Sequence, residues 1–314
     1  MSDIGIGLDD VLAAREAIGG CLHRTPVFSS KTLGERVFLK AELFQKTGSF
    51  KPRGVLTNLA ALTPEQRERG VIGISAGNHA QALAWGAAAE GIDALLVMWE
   101  GASTAKIEAT RGYGAEVDLE AADPTEAFDR LAELQEQTGR TLVHPFDHPL
   151  TIAGQGTVGL EIVEDVPGAT MIVVPVGGGG LISGIAVASQ GRRVIGVEPE
   201  RSPAMHEALA AGKPVPVSSQ SIADGLAAPF AGEHGLEICR ELVEQIVLVT
   251  EDELKHGMRF LYTRAKLAVE PAGAAAVAAL MAGKIPVELQ ETVVAVVSGG
   301  NVASETAVAI LAGE

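Results

Sequence analysis

The chain reads as an α/β protein built on two open, twisted, mostly parallel sheets flanked by helices. Three observations predict this. Short apolar runs alternate with helix-length amphipathic segments in units of about 22–26 residues, the rhythm of strand–helix–strand repetition. About eight or nine strands are on offer across the 314 residues, which suits two sheets better than one. The composition, 47% hydrophobic and 20% charged, is that of a globular protein with a sizeable core. Only 4% of residues are aromatic, so aliphatic side chains must fill most of that core.

The elements follow in order. Thr63, Pro64 and Gln66 read as a helix start: a cap hydroxyl, a first-turn proline and a side chain that returns to the cap. The run VIGIS (71–75) leads to HAQALAWGAAAEG, DALLVMW (93–99) to TAKIEATRGYG, and AEVDLE to TEAFDRLAELQEQTG, before a last short run, TLVHP. The second half repeats the pattern. MIVVPV (171–176) precedes GGGGLISGIAVASQG, and RVIGVEP precedes PAMHEALAAG. QIVLVT precedes EDELKHGMRFLYTRAKL, and TVVAVVS (292–298) precedes GGNVASETAVAILAG. Residues 212–229, rich in Pro, Ser and Gly, read as a loop. No composition shift marks a domain boundary.

Charge narrows the partners. Forty acidic against 24 basic residues give a formal charge of −16 with no basic cluster, so nucleic acid and anionic membranes are poor partners. Cys21 and Cys239 form neither a CxxC nor a metal-ligand spacing, and no metal is expected from them. The N-terminal stretch lacks the charged-then-apolar pattern of a secretory signal, and no apolar run reaches the ~18 residues of a membrane span. The expectation is a cytoplasmic protein.

Several motifs point to chemistry. In VVPVGGGGLISG, Gly177, Gly178, Gly179 and Gly180 follow an apolar strand and open a helix. Glycines free the backbone to turn its N–H groups on one spot, and the helix N-terminus adds positive potential, which together make a phosphate cradle. No GxxxxGK[ST] pattern is present, so this is not a nucleoside-triphosphate loop. GQGTVG (154–159) matches GxGxxG formally, but the preceding HPFDHPLTIA is not a buried strand, and a helix start with small residues for close packing is the better reading. SAGNHAQ (75–81) and VVSGGN (296–301) are strand ends carrying small polar residues. Ser75, Asn78, His79 and Ser298 can bind a ligand there or serve as ordinary helix caps. Glu270, before Pro271, reads best as a carboxylate that stabilises a helix dipole. The histidines at 23, 144, 148, 206, 234 and 256 read as structural or surface residues. Lys51 stands in KTGSFKPRG, framed by Phe50 and Pro52 and bracketed by Gly48 and Gly54. A framed lysine, a phosphate cradle and two polar strand ends together suggest pyridoxal 5′-phosphate, its aldehyde on Lys51 and its phosphate on the glycines.

KTGSFKPRG, SAGNHAQ, VGGGGLISG, ADGLA and SGGN, in this order and spacing, resemble the fold-type II (tryptophan synthase β-like) pyridoxal phosphate enzymes. The match is best to their serine/threonine dehydratase and serine racemase branch, from HRTPVFSS to SGGN. The resemblance implies that Lys51 forms the Schiff base and acts as general base. It implies that Phe50 flanks the cofactor ring, Asn78 bonds its 3′-oxygen, Gly177 to Leu181 hold the phosphate, and Ser298 faces the pyridine nitrogen. Ser75, Asn78 and His79 would take the substrate carboxylate. It also implies a large domain of residues 1–68 and 148–314, a mobile small domain of 69–147, and a homodimer.

Two departures matter. Racemases of the branch carry SSGNH where this chain has SAGNH, and Ala76 cannot transfer a proton. Glu198 matches a metal ligand of the family, but Ala204 falls where a carboxylate is expected, so a divalent ion is not anticipated. With 13 residues after Asn301, a C-terminal regulatory domain is not expected either. The resulting expectation is β-elimination from a 3-hydroxy amino acid, L-threonine or L-serine first. Another such amino acid (hydroxyaspartate, phenylserine), a serine racemase, or a non-catalytic phosphometabolite-binding protein are the alternatives.

Overall fold

A computed structural model of the chain describes residues 5–313. The chain runs α1 (Leu8–Ala17), β1 (Val27–Ser29), β2 (Val37–Ala41), α2 (Pro52–Ala60), α3 (Pro64–Arg69), β3 (Val71–Ile74), α4 (Asn78–Ala89), β4 (Ala94–Trp99), α5 (Thr104–Gly112), β5 (Glu116–Ala121), α6 (Pro124–Thr138) and β6 (Thr141–Leu142). It continues α7 (Pro149–Asp165), β7 (Met171–Pro175), α8 (Gly180–Ala188), β8 (Arg193–Pro199), α9 (Ala204–Ala211), α10 (Glu233–Leu242), β9 (Gln245–Val249), α11 (Glu251–Phe260), α12 (Pro271–Met281), β10 (Val293–Val297) and α13 (Ser304–Ala312).

Two sheets form, as the alternation predicts. One has six strands in the order β1-β2-β10-β7-β8-β9, the other four in the order β5-β4-β3-β6. All pairings are parallel except β1 with β2. Strands covered on both faces read as unbroken apolar runs, and Met171–Pro175 and Val293–Val297 are buried throughout. The predicted cap of α3 is present: Gln66 N donates to Thr63 Oγ1 at 3.2 Å and Thr63 N to Gln66 Oε1 at 2.9 Å.

Strand order places the site. From β7 the six-stranded sheet grows through β8 to β9, then resumes on the other side with β10. From β3 the smaller sheet grows through β4 to β5, then resumes with β6. Each reversal opens a crevice at the carboxyl ends of the strands, where α/β proteins bind ligands. One crevice holds the glycine loop and Ser298; the other holds 75–79 and 143–146.

Some expectations change. The segment containing β1 and β2 showed no strand signal, because β2 carries a buried Lys40. TLVHP contributes only Thr141–Leu142 to a sheet. The helix expected over 251–267 leaves α geometry after Phe260 and ends in a π turn, Leu261–Ala265. GQGTVG lies inside α7 rather than at a helix start. Its glycines serve close packing, as read: a Cβ on Gly154 would lie 2.7 Å from Gly54 Cα, and one on Gly159 2.9 Å from Ala188 Cβ. Thus α7 approaches both α2 and α8. α2 is shared, since Val55, Leu56 and Leu59 pack with the core of the four-stranded sheet.

Candidate active site

A cavity of about 330 Å³ lies between the two crevices, lined by Lys51, the 75–79 turn, the glycine loop and Ser298. Lys51 is held from both sides. Before it, Thr47 and Gly48 turn through positive φ (59° and 75°), and Phe50 N donates to Ser298 O at 3.1 Å, tying the turn to the end of β10. After it, Arg53 is buried among carboxylates, with Nε on Glu42 Oε2 and Nη1 on Glu161 Oε1, both at 2.8 Å. Lys40 Nζ meets the other Glu161 oxygen at 2.6 Å. Two buried cations and two carboxylates satisfy one another, which makes this network costly to disrupt from either side. It pins the start of α2, and with it Lys51, to β2 and α7.

The Lys51 amine donates to Pro145 O at 2.7 Å and stands 5.1 Å from the centre of the Phe50 ring. Burial pulls its pKa down to about 8, against the opposing pull of Glu270. A neutral amine is therefore accessible near physiological pH, as a nucleophile or proton acceptor needs.

The glycine loop is shaped by its neighbours. Gly179 caps α8 with φ of +100°. Gly178 does not have positive φ; glycine is needed there because the Phe146 ring occupies the space of a side chain. A Cβ on Gly180 would sit 2.7 Å from Phe146 O, and one on Gly177 3.2 Å from Leu226 Cα. Leu181 closes the wall. The first turn of α8 leaves N–H groups without helical partners at this spot.

On the other side, Ser75 Oγ accepts from Gly77 N at 3.0 Å and orders the turn into α4. Gly77, Asn78 and His79 at the N-terminus of α4 line the cavity, and that helix end carries positive potential. Asn78 is locked: its Nδ2 donates to Glu270 Oε1 at 2.7 Å, and its Oδ1 accepts from Asn301 Nδ2 at 2.8 Å. His79 is buried with Nε2 against Val143 O at 2.8 Å. Burial first, then the Lys51 charge, holds it down to about 3, so the ring is neutral. Its imidazole is thus committed to the backbone, and a carboxylate would meet its N–H rather than its ring. Ser298 is buried at the end of β10.

Glu270 departs from its expected role. It occupies the N-cap position of α12 but makes no side-chain cap bond. Its carboxyl turns into the cavity, where burial and Asp224 push it up to about 7, and Oε2 is buried without a partner. Sequence reasoning also missed residues 143–148, which thread the site. His144 Nδ1 accepts from Asp147 N at 2.8 Å, Asp147 caps α10, and His148 caps α7. His144 and His148 are structural, as read. Glu198 accepts from Met205 N and His206 N at 2.8 and 2.9 Å, so its oxygens cap α9.

The residues fit pyridoxal phosphate. A loop in which side chains have no room, set at a helix N-terminus, matches a phosphate. A buried lysine of lowered pKa suits its aldehyde, and a fixed amide with a second N–H still to give suits its ring oxygen.

Comparison with known proteins agrees. The family described as "Pyridoxal-phosphate dependent enzyme" matches residues 20–299. An L-threonine ammonia-lyase of Thermotoga maritima is 42% identical over 306 residues, covering 95% of this chain and 76% of the relative. Among solved structures, maize serine racemase superposes with a TM-score of 0.91 at 36% identity, covering 96% of this chain and 95% of that one. The serine racemase of Dictyostelium discoideum gives 0.88 at 34%, covering 95% and 99%. The chain belongs to the pyridoxal-phosphate dependent enzymes of fold type II.

Proposed function

We propose that the protein is a threonine/serine dehydratase (ammonia-lyase), converting L-threonine or L-serine to the 2-oxo acid and ammonia. The observation that carries this reading is the Lys51 amine, shifted toward neutrality and set between the glycine loop and the α4 N-terminus, in a chain 42% identical to an L-threonine ammonia-lyase. Lys51 would hold the cofactor through its aldehyde, with Phe50 beside the ring, and Gly177, Gly178, Gly179, Gly180 and Leu181 would hold its phosphate. Bound there, the cofactor would supply the electron sink that acidifies the substrate Cα–H.

The chain's own groups do the rest. Ser75 and the backbone N–H groups of Asn78 and His79 receive the α-carboxylate and set the Cα–H toward Lys51. Lys51 then accepts that proton. Asn78, braced by Glu270 and Asn301, would give its remaining N–H to the cofactor's 3′-oxygen. Ser298 would meet the pyridine nitrogen with a hydroxyl, which would not hold it protonated as a carboxylate would, and that would favour prompt loss of the β-hydroxyl. Ala76 carries no transferable proton, so only one face of Cα is served and elimination is favoured over racemisation.

Residues 69–147 are proposed to move as a small domain against 1–68 and 148–314; the four-stranded sheet lies within that span. The cytoplasm and a homodimer go with the family reading. Among the described residues no helix is long and apolar enough to cross a membrane. Sedimentation equilibrium tests the dimer, a single species of monomer mass being the contrary result. A panel of 3-hydroxy amino acids assayed for ammonia tests the activity: L-threonine and L-serine lead if the reading is right, and inactivity toward every member counts against it.

A further inference from the structure

Lys106 and Asp224 meet across the mouth of the cavity. Lys106 stands in the first turn of α5, on the side of the four-stranded sheet. Asp224 begins a short 3₁₀ turn, Asp224–Leu226, in the loop between α9 and α10 on the other side. Lys106 Nζ donates to Asp224 Oδ2. The lysine side chain is only 13% exposed, whereas the aspartate is 59% exposed. A cation so enclosed needs a partner, and among the described residues Asp224 supplies it. Lys106 also faces the turn before α4: a Cβ on Gly77 would lie 3.9 Å from its Nζ. Its charge therefore acts where the substrate stands. The other charged residues lining the cavity are Lys51 and Glu270, already engaged with Pro145 and Asn78.

3-Hydroxy amino acids share an α-amino group, an α-carboxylate and a β-hydroxyl. They differ in the remaining β-substituent, which is hydrogen, methyl, aryl or carboxylate. We propose that the Lys106–Asp224 pair selects the charge of that substituent, Asp224 cancelling Lys106 so that neutral groups enter and a second carboxylate is refused. A carboxylate arriving beside Lys106 must take an enclosed lysine from Asp224 or remain next to a like charge, and both are unfavourable. The inference deepens the dehydratase reading and rests on it.

The test uses the cofactor-loaded enzyme and its Asp224→Asn and Lys106→Met variants. Two quantities are read: the ratio of kcat/KM for 3-hydroxyaspartate over L-threonine, and the inhibition or binding constant of malonate, a dicarboxylate that cannot eliminate. Asp224→Asn uncovers the cation, and the ratio rises and malonate tightens, each by roughly tenfold or more. Lys106→Met leaves the aspartate alone, and both quantities move the other way. Should one variant fail to fold, the other carries the same test with opposite sign. A ratio and a malonate constant unchanged in the variants, or an equal loss on both substrates, would show a mere brace and overturn the proposal. Equal use of both substrates by the unaltered enzyme would also overturn it. If the unaltered enzyme releases ammonia from neither, the dehydratase reading fails, and malonate binding still decides whether the pair sets the charge preference.

Discussion

The two walls of the cavity are built on different principles. The glycine-loop wall is backbone: Gly177 to Gly180 offer N–H groups, and each position is small because Phe146, Leu226 or Met205 stands against it or the chain turns there. The rest of the lining is side chains drawn from distant places on both sides of the cavity: Lys51, Asn78, Glu270, Lys106 and Asp224. The first needs no charge balance and has one geometry. The second contains two lysines and two carboxylates whose charges act on one another. Substitutions on the first wall should thus act on cofactor binding, and those on the second on chemistry and selectivity.

The largest effect falls on Lys51. Lys51→Ala should lower turnover about a thousandfold or more and abolish the visible absorbance of the lysine-bound cofactor. Near-normal ammonia release from that variant would move the chemistry to another residue.

On the backbone wall, Gly178→Val and Gly179→Val should each remove cofactor binding, for different reasons. Gly178→Ala meets the Phe146 ring, so pairing it with Phe146→Ala should recover part of the affinity. Gly179→Ala is strained by its φ of +100°, a cost of about 1–2 kcal/mol, and Met205→Ala should not relieve it. Equilibrium titration with pyridoxal phosphate separates the two; identical responses would mean that the loop merely turns the chain.

The burial of Lys51 on the other wall predicts a pH dependence. Burial lowers the folded-state pKa of Lys51 to about 8, so its neutral form appears above that value rather than near its usual ~10.4. Capture of the cofactor by the unloaded protein, followed by absorbance, should speed up as pH rises through about 8 and then level off. A rate still climbing steadily at pH 10 would contradict the lowered value.

A subtler effect concerns Glu270. Glu270→Ala frees the Asn78 amide to rotate, and should shift the absorbance of the bound cofactor and weaken it by about tenfold, the worth of one charge-assisted hydrogen bond. Glu270→Gln still accepts from Asn78 and should recover most of the affinity. Equal loss in both variants would assign Glu270 a charge role instead. The smallest change is Ala76→Ser, which should raise interconversion of L- and D-serine slightly while dehydration persists, as a chiral assay of residual serine would show. Substantial D-serine from the unaltered protein would mean that another group serves the second face.

These walls also differ in how far the sequence reveals them. Four glycines after VVPV announce a tight backbone feature, because steric and φ demands are local and leave a local record. The sheets were legible for the same reason, down to the Thr63–Gln66 cap. Lys51 could be singled out by its framing in KTGSFKPRG. Glu270 could not, since a glutamate before proline has the pattern of a helix start, and only the meeting of α12 with α4 turns it toward Asn78. Pro145 gives no signal at all, because a carbonyl acceptor is present at every residue. Lys106 and Asp224 lie 118 positions apart, so their pairing leaves no record in either local stretch, although Asp224 stands in ADGLA. β2 was missed because Lys40 breaks its apolar pattern, and the partner that satisfies Lys40, Glu161, lies in α7.

The most direct measurement is the product of L-threonine incubated with the pyridoxal phosphate-loaded protein and with its Lys51→Ala variant, followed by ammonia and 2-oxo acid formed in equal amounts. The loaded protein should release both in a one-to-one ratio, with no accumulation of D-allo-threonine, the product of inversion at Cα, and the variant should release neither. Loss of L-threonine without ammonia, or ammonia formed equally by the variant, would contradict the assignment of Lys51-dependent β-elimination to this site.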